Sequence, residues 1–113
     1  MSLFYFIQKQ KLEEHRLFRE IFAECNSRYA EVSPKIEKIS NCEKSNLMGE
    51  QSAVLVKYFN LCAEEYLYYR RGYIDPLVWN AWKNGIKDIL KNEKIRIFWE
   101  QEKASDSYYG LDL

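Results

Sequence analysis

Residues 51–71 narrow the folding options of this chain more than any other segment. At about 3.6 residues per helical turn, Leu55, Phe59, Cys62, Tyr66 and Tyr69 fall on one face. Val54, Tyr58 and Leu61 widen that face on one side, and Val56, Ala63 and Leu67 widen it on the other. Only Lys57, Asn60, Glu64 and Arg71 make a coherent polar stripe. A helix whose apolar arc exceeds half its circumference cannot rest on a surface; it needs neighbours around it. The chain is therefore expected to be all-α, a compact bundle with this helix at its centre.

The partners of the central helix follow from the same periodicity. Between 8 and 31, Leu12, Phe18, Ile21, Phe22, Cys25 and Tyr29 recur at intervals of three or four, predicting an amphipathic helix. Ser33-Pro34 should end it, with Ser33 capping a short fifth helix near 34–40 that carries Ile36 and Ile39. Residues 41–52 lack periodicity and read as a loop.

The stretch RRGYIDP is a corner. Gly72 suits the left-handed position just past a helix end, and Arg70 and Arg71 favour the last turn. Asp75 then caps a helix over 76–90 with Pro76 at its first position, and Ile74 and Trp79 have the spacing of a hydrophobic staple. In that helix Val78, Trp82, Ile86 and Ile89 share a face. Asn92 caps a fourth helix over 93–103, in which Ile95, Phe98 and Trp99 point inward. Four principal helices, 8–31, 51–71, 76–90 and 93–103, make one domain spanning 1–113.

Chemistry is scarce. Cys25, Cys42 and Cys62 form no CxxC pair, and His15 is the sole histidine, so neither a disulfide framework nor a metal site is expected. The glycines at 49, 72, 85 and 110 build no phosphate loop, and no cofactor or catalytic residue is indicated. Seventeen basic and seventeen acidic residues balance to zero net charge, which disfavours nucleic-acid binding. The first turns after the corner carry Pro76, Leu77, Val78 and Trp79, which cannot read base edges. No run reaches the ~20 apolar residues that span a bilayer, and reduced thiols point to the cytoplasm.

Three features invite interpretation. Glu65 falls inside the apolar arc, where a bare carboxylate is costly, so an arginine or tyrosine partner from another helix is expected. Tyr68, Arg70, Arg71 and Tyr73 form the candidate exposed patch, of residue types enriched at binding hot spots. At the C-terminus, Tyr108 and Tyr109 are expected to fold back on the bundle beside the first or second helix. At the other end, LFYFI reads as a first helical turn docked on the core; the alternative makes Met1–Ile7 the stub of a longer apolar helix.

YFNLCAEEYLYYRRGYIDPLVWNAWKNGI from Tyr58 onward, then IRIFWEQE and the closing SYYGL, resemble a group of small helical bacterial proteins known only as domains of unknown function. The resemblance covers roughly 58–113 and rests on corner and core residues; it implies a helical fold and supplies no catalytic residues. Some members carry a membrane helix before the domain, which implies that this chain would be the cytosolic part of an anchored protein if its native N-terminus is longer. Without a catalytic signature, the expected function is a non-enzymatic interaction or scaffold domain that self-associates. The alternative is a small enzyme or ligand-binding domain with an inter-helix pocket around Glu65 and tyrosine hydroxyls.

Overall fold

The computed structural model describes residues 2–44, 46–47 and 49–113; Met1 of the N-terminal run and Ser45 and Met48 of the 41–52 loop lie outside them. Four helices follow one another, α1 (Leu3–Asn41), α2 (Gly49–Arg70), α3 (Pro76–Ile89) and α4 (Glu93–Lys103), with no strand among the described residues. The expected all-α architecture is what the chain adopts.

Helix α2 holds the centre. It buries Leu55, Tyr58, Phe59, Leu61, Cys62, Ala63 and Glu65, the largest buried set on any helix. Trp99 of α4 stacks on Phe59 at 4.7 Å, while Trp79 of α3 lies against Tyr66 and Tyr69 at 5.5 and 5.6 Å. The aromatic run of α2 is thus a wall that receives one tryptophan from each following helix. The Trp99 indole N–H has no acceptor among the described residues, an omission worth ~1–3 kcal/mol that the surrounding aromatic packing must outweigh.

Local capping chemistry shapes the corner as the residue types require. The Tyr73 N–H reaches the Tyr68 carbonyl at 2.9 Å and the Gly72 N–H reaches Tyr69 at 3.0 Å, a Schellman pair with Gly72 at φ +79°. The Asp75 carboxylate accepts from the Leu77 N–H at 2.8 Å, and Ile74 and Trp79 are both buried. Asn92 serves two helices at once. Its side-chain oxygen accepts from the Ile95 N–H to cap α4, and its amide donates to the Ser40 carbonyl at the end of α1. Lys94 completes that junction by donating to the Ile39 and Cys42 carbonyls, satisfying groups that a helix end leaves open and placing a cation at its negative pole.

Two expectations fail in α1. Pro34 does not end the helix, and no separate helix over 34–40 exists; one helix runs from Leu3 to Asn41 with Pro34 inside it. A proline in a helix interior costs about 3 kcal/mol. Val32, Ile36 and Ile39 are all buried, and each contributes ~1.5–3 kcal/mol, enough to carry the helix through. Pro34 and Ala30 are exposed, so the carbonyl that loses its N–H partner faces water.

The second failure concerns LFYFI, which does not dock on the core. Every residue from Ser2 to Leu17 is exposed, with Leu3 at 75%, Phe4 at 70% and Phe6 at 57%. Ile21 is the first buried residue of α1, and the Leu12 end of the expected stripe is exposed. At about 1.5 Å per residue, the first fifteen residues of α1 project roughly 22 Å from the bundle, giving a molecule 64 Å long and only 26 by 21 Å across.

Candidate functional site

Where α1 and α3 meet over α2, a cavity of about 250 Å³ remains, lined by Asn26, Tyr29, Tyr58, Glu65, Ala81, Trp82, Gly85 and Ile86. Each helix brings something different. From α1 come an exposed amide and a half-open phenol, Asn26 and Tyr29. The floor is Tyr58 and Glu65 of α2, both buried. Trp82 of α3 forms a side wall, held by stacking on Phe22 at 5.8 Å and 14°. Tyr29 and Tyr58 are inclined at 49° with centroids 6.3 Å apart, so their rings form a corner. Opposite them stands Gly85, in mid-helix, where an added Cβ would meet nothing within 4 Å.

Glu65 is 7% exposed, in the apolar position that the helical spacing assigns it. The partner expected for it is missing among the described residues. The nearest cation, Arg28, binds Glu64 through a short hydrogen bond and Glu24 at 3.9 Å, and reaches Glu65 only through space. Burial pushes the Glu65 acid up to about 8; Arg28 opposes this and Glu64 adds to it. At neutral pH the group is largely a neutral acid in an apolar wall. That corrects the expectation of an arginine or tyrosine pair: Arg28 sits one helical position too far round and is claimed by Glu64.

The thiols nearby are inert. Burial, with Glu65 next in size, raises Cys25 to about 12, and burial raises Cys62 well above its ordinary range. Burial, with Cys62 next in size, raises the Tyr58 hydroxyl well above its ordinary range. No group of three or more His, Cys, Asp or Glu residues arranged for a metal exists among the described residues.

The candidate patch is divided between two sides of α2. Tyr68 is half-buried beside Glu24, Glu64 and Arg28, on the α1 side. Arg70 lies over the Tyr66 ring at 5.8 Å, towards α3, while Arg71 and Tyr73 are exposed at the corner. Of the tail tyrosines, Tyr108 is buried against Trp99 in an edge contact at 5.2 Å and donates to Glu102, so it docks on α4. Tyr109 stays 54% exposed and lines a shallow surface recess with Arg28, Lys57, Asn60 and Glu64. Leu111 is the second buried anchor of the tail, and Lys103 pairs with Asp112 across it. A wider cleft of about 510 Å³ beside α4 includes Lys94, whose ammonium is already committed to the end of α1.

Sequence reasoning identified Glu65 but not Trp82, Gly85, Tyr29 and Asn26 as its surroundings. A signal was present for Gly85, since an isolated glycine inside a helical pattern weakens the helix and needs a reason. No helix among the described residues is long and apolar enough to cross a membrane. No family model matches the chain, and neither does any curated protein or solved structure, so the functional reading rests on geometry alone.

Proposed function

We propose that this chain is a non-enzymatic interaction domain that self-associates through the projecting arm of α1. The observation that carries this reading is the exposure of Leu3, Phe4, Tyr5, Phe6, Ile7, Leu12 and Leu17 on the segment of α1 that precedes its first buried residue, Ile21. Single exposed apolar residues are ordinary, but a contiguous group of this size is a binding surface or an aggregation liability.

A second copy fits the arm better than other occupants. Leu3, Phe6, Ile7 and Leu17 share one side of the helix. In an antiparallel pair crossing near Leu12, the apolar tip of each arm lies along Leu17 of the other. Lys9 and Lys11 then face Glu13 and Glu14, so the flanking charges attract on both edges. The same mixture of signs gives the arm no cationic face for an anionic membrane, and the balanced net charge offers none to nucleic acid. Three free cysteines go with a reducing, cytoplasmic setting.

Sedimentation equilibrium of the parent and of a Phe6→Glu/Ile7→Glu double variant tests the reading. The parent should dimerise with rising concentration, while the variant stays monomeric with an unchanged thermal transition. A monomeric parent, a variant that still dimerises, or an arm that binds lipid vesicles instead would overturn it.

A further inference from the structure

We propose that the cavity between α1, α2 and α3 is a binding site for a small organic ammonium ion, held by the Glu65 carboxylate within the walls of Tyr29, Tyr58 and Trp82. The site is separate from the arm and does not depend on how the chain associates.

Three observations converge on that ligand class. First, Glu65 is a buried carboxyl without a hydrogen-bond or ion-pair partner among the described residues, lining an open cavity. A buried carboxylate is stable only when paired, and a cation entering the cavity supplies the missing partner. Second, the remaining walls are aromatic. Rings attract cations through their negative faces, and quaternary or alkylated ammonium groups are recognised by aromatic cages. Tyr29 and Tyr58 make a corner, Trp82 is held upright by Phe22, and no lysine or arginine lines the space. Third, the local charge is negative. Arg28, the cation coupled to Glu65, is already bound to Glu64 and Glu24, so once Glu65 ionises its charge adds to an acidic surrounding.

Size and access restrict the ligand further. At about 250 Å³ the cavity falls below the ~300 Å³ at which drug-sized sites begin, so it takes a small head group. Asn26, Ala81 and Gly85 at its rim are exposed, which leaves it open to solvent between α1 and α3. Gly85 keeps the α3 side empty.

Affinity should rise with pH as Glu65 ionises. The titratable and charged groups facing it are Glu24, Cys25, Arg28 and Tyr29 of α1 and Tyr58, Cys62 and Glu64 of α2; α3 contributes no charged lining residue. Choline chloride titrated into the full chain, with the Trp82 indole N–H followed by NMR, is the direct test. Dimethylbutanol, the uncharged carbon isostere of choline, serves as the control at matched ionic strength. Saturable choline binding with Kd of about 1 mM or tighter is expected, at least tenfold tighter than the isostere. Glu65→Gln should weaken choline at least tenfold and leave the isostere unchanged, while Gly85→Leu, which fills the cavity and spares Glu65, should abolish both. Absence of saturation, equal binding of the two probes, or choline binding that survives Glu65→Gln would each overturn the proposal.

Discussion

Replacing Glu65 by glutamine should make the protein more stable at neutral pH, and by an amount that pH controls. The folded chain holds the Glu65 proton up to about pH 8, whereas the unfolded chain releases it near 4.5. Between those values the unfolded state gains from ionisation and the folded state does not, so stability falls as pH rises, by about 1.4 kcal/mol per pH unit. Below the unfolded value both states are protonated and above the folded value both are ionised, so the slope vanishes at either end. At pH 7 the interval crossed is about 2.5 units, a loss on the order of 3 kcal/mol. Glutamine has nearly the same shape and no charge, so the difference between the two proteins cancels the titrating groups that do not interact with Glu65. Urea melts of parent and Glu65→Gln at several pH values between 5 and 8 read that difference directly. The proteins should be close at the acid end, with the variant pulling ahead steadily towards pH 8. A gap that does not change with pH, or a variant less stable than the parent at pH 7, would mean that an ionised Glu65 has a partner and that its burial has been misjudged.

Gly85→Ala should raise stability by ~0.5–1 kcal/mol, because a mid-helix glycine carries excess backbone entropy and the new methyl meets nothing; thermal melts decide it. Gly72→Val should lower stability by more than ~1 kcal/mol, since a β-branched residue resists φ +79°; a urea midpoint equal to the parent's would contradict the Schellman geometry. Tyr108→Ala should cost ~3 kcal/mol independently of protein concentration, as it empties the Trp99 edge contact and removes the Glu102 hydrogen bond. Thermal melts at two concentrations separate that loss from any effect on association.

What could be read from the sequence alone was whatever depends on neighbours within about a turn of helix. Gly72, Asp75-Pro76 and Asn92 state their roles through three- to five-residue hydrogen bonds, which is why the corner and the start of α4 form where the residue types place them. The central place of α2 was legible too, because an apolar arc wider than half a helix can be satisfied only by surrounding it. Glu65 was recognisable as a buried acid on the same grounds, whereas its lack of a partner was not. Whether Arg28 reaches Glu64 or Glu65 depends on how α1 crosses α2, and adjacent positions on a helix point about 100° apart. Likewise the cavity exists only because Tyr29, Trp82 and Gly85, from two other helices, come to stand around that acid. Pro34 shows the same division of causes: its local preference is to stop a helix, and the burial of Val32, Ile36 and Ile39 in the assembled bundle overrules it. The arm reverses the case. Its apolar residues have the composition of a docked turn, but beyond Ile21 the bundle offers no surface for them, and only the length of the continuous helix carries them out into solvent.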